Sequence, residues 1–298
     1  MSSHSKREVG PWARQKLDAL QAYIEAYMLV MKNKTRFELT YIDGFAGAGT
    51  VKVRGSGDDG QDILTGLDPS DLLAQEEFIA GSPRRALELQ PGFKRHFFFD
   101  LDPVRAELLE SLSEEYPEKK LVVRCGDANH YIQMLAPKLE PWNQKAVAFL
   151  DPYGAHLHWR TVEALGRTGN VDVIINLPIA MAINRLLQKD GTVSDKAKQQ
   201  LDDCFGCNDW YDLVYHQPED LFGSQLGKRE QAERLLLELY TDRLKSVFKA
   251  VSKPSLIRNT RKGPLYYLIW AGHPTGLGIA NHILTLGEKI SLPRTRRR

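Results

Sequence analysis

Asp151-Pro152-Tyr153-Gly154 joins, in consecutive residues, three groups that could act together on an amino group. Moving a methyl group onto an exocyclic amine requires the nitrogen lone pair to leave conjugation and face the incoming carbon. A carboxylate and a backbone carbonyl, each accepting from one N–H, can enforce that geometry while an aromatic ring stacks on the attached base. Asp151, the carbonyl of Pro152 and the ring of Tyr153 are those parts, and an ordinary strand-to-loop turn is the competing reading. A second chemical signal is the run Tyr41-Ile42-Asp43-Gly44-Phe45-Ala46-Gly47-Ala48-Gly49. Gly44, Gly47 and Gly49 remove side chains where the backbone must turn sharply and a ligand must approach closely, or simply where a connection is tight. No helix opens directly on these glycines, which counts against a dinucleotide.

Two more acids end apolar runs. Asp100, at the tip of His96-Phe97-Phe98-Phe99-Asp100, could accept from both hydroxyls of a ribose. Asp102 competes for that role, but Asp102-Pro103 is a good helix start and fits an N-cap. Asp127 follows Leu121-Val122-Val123-Arg124-Cys125-Gly126 and could accept from an adenine amino group or merely form a turn.

The elements that must position these acids follow from hydrophobic spacing. Residues 1–36 carry a leading helix, with Leu17, Leu20, Ile24, Tyr27, Met28 and Met31 on one stripe and Lys16 and Glu25 placed elsewhere. Strands are expected at Phe37 to Ile42, His96 to Asp100, Leu121 to Cys125, Ala146 to Leu150 and Val171 to Asn176. They lack polar alternation and are separated by helical stretches, one from about Pro103 to Tyr116, as in a parallel sheet covered on both faces. Gly81-Ser82-Pro83 reads as a helix start, Ser82 capping and Pro83 in the first turn. Residues 50–80 read as a loop insertion, and 182–250 as a helical insertion or lid without a clear strand. Ser255 to Arg258 and Leu265 to Trp270 form an antiparallel hairpin. The expected fold is a Rossmann-like α/β domain, a mostly parallel seven-stranded sheet closed by that hairpin, the arrangement of class I methyltransferases.

Composition limits the alternatives. With 298 residues and 42% apolar content the chain can bury one large core, with or without an inserted subdomain. No apolar run approaches the roughly 18 residues of a membrane helix, and three cysteines make no disulfide framework, so a cytoplasmic protein without membrane association is expected. The formal charge of +2 decides nothing, although Arg294-Thr295-Arg296-Arg297-Arg298 could add affinity for phosphate. Cys204-Phe205-Gly206-Cys207 lacks a second pair, and His216 is a poor fourth ligand, so no metal is expected. His156 and His158 flank the Asp-Pro-Tyr-Gly loop, where they could touch substrate or, for His158 beside Trp159, pack.

Taken together, Tyr41 to Gly47, Gly81-Ser82-Pro83, Phe98 to Pro103, Asp151 to Gly154, Val173 to Asn176 and Tyr266-Tyr267-Leu268-Ile269 resemble the three-Cys-motif partner family, TcmP. That family resembles S-adenosylmethionine-dependent methyltransferases, particularly those acting on adenine N6 in nucleic acid. The resemblance implies S-adenosyl-L-methionine as cofactor, held by Asp43, Gly44, Phe45 and Gly47 of the first loop, Asp100 at the ribose and Asp127 at the adenine. Asp151, Pro152 and Tyr153 would then meet the target, in DNA or RNA. It also implies a partner, a radical-S-adenosylmethionine-like protein carrying three cysteines, and leaves open that the chain is a non-catalytic subunit of that partner. One proline stands where adenine N6 enzymes usually carry two, so base and methylated position stay open.

Overall fold

A computed structural model describes residues 11–46, 81–216, 227–259 and 262–290, excepting the side chains of 11–14 and 285–290. The expected insertion at 50–80, Gly47, Gly49 and the basic run at 294–298 lie outside the described residues. In chain order the elements begin with helix α1 (Pro11–Met31), strand β1 (Glu38–Asp43), a helix α2 over 81–88, β2 (Arg95–Asp100) and α3 (Pro103–Glu115). Next come β3 (Lys120–Cys125), α4 (Ala128–Leu135), β4 (Gln144–Leu150), α5 (Trp159–Arg167) and β5 (Val171–Leu177). A π-turn at Ile179–Ile183 runs into α6 (Asn184–Leu186), followed by α7 (Asp195–Phe205), α8 (Trp210–Val214), β6 (Tyr215–His216), β7 (Gly227–Lys228) and α9 (Ala232–Val247). The chain closes with β8 (Ala250–Val251), β9 (Ser255–Arg258), β10 (Pro264–Gly272) and α10 (Pro274–Ile290).

The first five strands are parallel, in the order β3-β2-β1-β4-β5. Successive residues of each strand enter opposite faces. Tyr41, Phe98, Phe149, Ile174 and Trp270 join α1, α2 and α10 on one face. Ile42, Phe99, Leu150, Ile175 and Ala271 join α4, α5, α7 and α9 on the other. Burial of both faces explains why these strands read as uninterrupted apolar runs. The order reverses between β1 and β4, so their carboxyl ends flank the crevice where ligands sit in open α/β sheets.

Three features differ from the expectation. Among the described residues the sheet has eight strands, because the strand expected beside β10 comes in two pieces. β9 and β8 pair in turn with the edge of β10 that β5 leaves free. At the break, Ser252 donates its N–H to the Trp270 carbonyl (2.8 Å), and its hydroxyl accepts from the Trp270 N–H (3.0 Å), so the ladder loses no backbone partner there. Second, the helical stretch after Ala182 contains a two-residue hairpin, β6 with β7. Lys228 of that hairpin donates to the carbonyls of Asn184 and Leu187, both at 3.0 Å. Third, Ser82 lies inside α2 rather than capping it, and its hydroxyl donates to Asp43. Among the described residues no helix is long and apolar enough to cross a membrane.

Candidate functional site

Acids stand at the carboxyl ends of consecutive strands because each strand buries its run of apolar residues and stops where a polar side chain first reaches the crevice. Asp43, the last residue of β1, is fully buried. Its Oδ2 accepts from the Ser82 hydroxyl at 2.8 Å and from the Tyr41 hydroxyl at 3.5 Å. Oδ1 has no hydrogen-bond partner among the described residues. Burial pushes this carboxyl up to about 7, and the charges of Asp151 and Asp100 add to the rise against the Ser82 and Tyr41 hydroxyls.

Asp100 ends β2. The N–H of Asp102 donates to its Oδ1 at 2.9 Å, and its Oδ2 is buried without a partner among the described residues. Burial raises its pKa, opposed mainly by that N–H and by Arg105. Asp102 caps α3, its Oδ1 accepting from the Val104 N–H at 2.9 Å. Asp127 caps α4 in the same way: Oδ1 accepts from the N–H and the side-chain amide of Asn129 at 2.9 and 3.0 Å. Gly44 follows β1 closely: a Cβ would lie 2.7 Å from a terminal methyl of Leu150 and 3.0 Å from one of Ile132, so a side chain there would have to displace those methyls. Phe45 is half-buried against the same core.

Asp151 does not face open solvent. Lys16 of α1, assigned by its spacing to a face away from the core, is 2% exposed and donates to Oδ1 and Oδ2 of Asp151 at 3.1 and 3.0 Å. Its ammonium lies 4.6 Å from the centre of the Tyr266 ring. Asn176, near the end of β5, donates its amide to Asp151 Oδ1 at 2.5 Å, while its own Oδ1 is buried without a partner among the described residues. Burial lowers the pKa of Lys16 and the Asp151 carboxylate opposes the fall.

Pro152 is buried and Tyr153 half-buried, with its hydroxyl shielded and unpartnered among the described residues and its pKa pushed up to about 12 by burial. Gly154 turns the loop at φ 67°, a left-handed conformation that side chains resist. Asn129 then ties the loop to α4: its amide donates to the His156 carbonyl at 2.8 Å, and its oxygen accepts from the His158 N–H (2.9 Å) and the Thr161 hydroxyl (3.0 Å). His156 itself is exposed, and His158 holds the N-cap position of α5 without a side-chain cap.

Lys16, Ser82, Asn129 and Asn176 were not singled out as site residues by spacing and motif. Lys16 had a signal: it precedes Leu20 by four residues and Ile24 by eight, in line with the buried stripe. The Asn contacts span 25 to 32 residues or lie across elements and leave no local trace. Cys204 is buried, its thiol pushed up to about 12, and Cys207 is half-buried. Among the described residues no three His, Cys, Asp or Glu side chains gather as a metal site would require.

Fold and site define a mixed α/β protein of Rossmann-like type with a buried acidic crevice at the switch point of a mostly parallel sheet. No family model and no curated protein matches the chain. Among solved structures it is similar to the 2.2 Å crystal structure of WbdD, with 12% identity over 87% of this chain and a TM-score of 0.35; the chain spans 61% of the length of that structure.

Proposed function

We propose that this chain is an S-adenosylmethionine-dependent methyltransferase that modifies an exocyclic amine of a nucleic-acid base together with a three-cysteine, radical-S-adenosylmethionine-like partner. One observation carries the reading: Asp100 is a buried carboxylate at the tip of the second strand with one oxygen held by a backbone N–H and the other left without a donor among the described residues. A buried acceptor in that state is costly, and a ribose hydroxyl brings the missing donor. The sheet order, with β10 antiparallel between β5 and the β8/β9 edge, supports the same reading, being the class I methyltransferase arrangement.

The residues present fit the cofactor. Asp100 would hold its ribose, Asp43, Gly44 and Phe45 would border it, and Asp127 would meet the adenine amino group with the oxygen its helix cap leaves over. When bound, S-adenosylmethionine supplies a methyl group on a positively charged sulfur, and the surrounding acids suit that charge. The chain's own part is orientation: the Asp151-Pro152-Tyr153 loop holds the target amine and stacks its base, and needs no strong general base because the amine loses its proton after the new bond begins to form.

Calorimetric titration with S-adenosylmethionine tests the reading. Asp100→Ala should bind about 10- to 150-fold more weakly, the cost of an acceptor lost to a ribose. Absence of binding by the unaltered chain would overturn the proposal, and wild-type affinity in Asp100→Ala would remove that residue from the site. Incubation with labelled cofactor and DNA, RNA or protein, with and without the partner, then identifies the acceptor.

A further inference from the structure

The Asp151 carboxylate already holds a counter-ion. Lys16 Nζ lies 3.1 and 3.0 Å from its two oxygens, with the two side chains only 2% and 11% exposed. An ammonium set against a carboxylate in this way offsets its charge. A ligand arriving at the tips of β4 and β5 therefore meets a neutral unit, and a cationic amine would give up its hydration there without gaining an unpaired carboxylate. The acceptor that does lack a donor is neutral as well. Asn176 is fully buried, its amide nitrogen is committed to Asp151, and its Oδ1 has no partner among the described residues. An amide oxygen of this kind calls for an N–H or O–H donor, and beside a charge-balanced pair that donor need not be cationic.

We propose that Lys16 and Asn176 set the substrate class of this site, Lys16 by cancelling the charge of Asp151 and Asn176 by accepting one N–H, so that a neutral exocyclic amine of a nucleobase is taken and an alkylammonium such as a lysine side chain is refused. The inference rests on the methyl-transfer reading in placing the target amine beside Asp151. A nucleobase is favoured over a side-chain carboxamide because the half-buried ring of Tyr153, two residues on, offers a base a stacking partner. A site built to satisfy a hydrogen bond rejects analogues that cannot make it far better than an apolar pocket rejects a wrong size.

Saturation-transfer NMR on the full chain, with S-adenosylhomocysteine filling the cofactor site, tests this with adenosine, cytidine, inosine, uridine, propionamide and n-butylammonium. The unaltered chain should bind adenosine in preference to inosine, or cytidine in preference to uridine, and should not bind n-butylammonium. Asn176→Leu should erase the preference for the amine-bearing nucleoside while cofactor affinity by calorimetry stays unchanged. Lys16→Met should admit n-butylammonium on the order of tenfold better, because Asp151 is then an uncompensated buried charge. If Lys16→Met fails to fold, Asn176→Leu decides alone. Equal binding of amine-bearing and deaminated nucleosides overturns the inference, as does wild-type binding of n-butylammonium or a preference for propionamide. Nucleoside discrimination without any cofactor binding would remove the methyl-transfer reading and leave this one; cofactor binding without discrimination would do the reverse.

Discussion

Two buried residues, Asp43 at the crevice and His96 near the amino end of β2, titrate with opposite consequences. Asp43 is held up at about 7 and His96 down at about 4, both chiefly by burial. Between the ordinary carboxylate value and 7, folded Asp43 binds a proton that the unfolded chain has released, so its contribution to stability falls as pH rises through that window. His96 works the other way: between 4 and about 6.5 the unfolded chain binds a proton that the buried imidazole refuses, so its contribution rises with pH. Over the shared window the two largely offset one another. Asp43→Asn removes one side of that balance. Its stability relative to the unaltered chain should therefore increase steadily from pH 4 to pH 7, by about 2–4 kcal/mol in all. Denaturant unfolding at a series of pH values measures the difference, and a pH-independent difference would show that Asp43 ionises normally in the folded chain.

Elements were more legible than contacts. The five parallel strands announced themselves because burial on both faces leaves no polar alternation, and four of the five stop at or beside an acid or at Asn176-Leu177 where the crevice begins. The split between β8 and β9 was not legible, since it depends on Ser252 meeting Trp270 across the sheet. Lys16 was misplaced because a lysine in an apolar stripe ordinarily lies at the solvent edge, and its burial here is eased by a carboxylate 135 residues away. The loop after β4 was read for its chemistry, while the device holding it came from a different element: Asn129 of α4 spends both ends of its amide on it. Asn129→Leu should cost about 2–4 kcal/mol, because the His158 N–H and the His156 carbonyl lose the Asn129 amide and the Thr161 hydroxyl, which still accepts from Gln133, loses its acceptor. Hydrogen exchange should show the His158 amide opening faster than its neighbours in β4. Unchanged protection at His158 would mean the loop is held by its own backbone turn.

At the scale of the whole molecule, the last of the described strands is an interior one. β5 is buried along its full length, yet its second edge is covered by β10, through pairs from Tyr267 with Leu177 to Ala271 with Val173. Nothing local in either strand specifies this neighbour; the closure depends on β8, β9 and β10 arriving together after the helices that follow β5. Until residues 264–272 join, β5 offers an apolar strand edge with unpaired N–H and carbonyl groups, the geometry that templates association between chains. Trp270 adds to the dependence, because it is 1% exposed and its ring packs on Tyr23 of α1, so the final strand also holds the first helix to its face of the sheet. A chain ended after Arg258 should therefore fail to reach the native state and should aggregate, whereas Trp270→Ala in the full chain should remain folded but lose about 3–5 kcal/mol. Sedimentation and near-ultraviolet circular dichroism of the two proteins distinguish these outcomes. A shortened chain that stayed monomeric and unfolded cooperatively would show that β1 to β5 form a self-sufficient unit and that β10 is an addition to it.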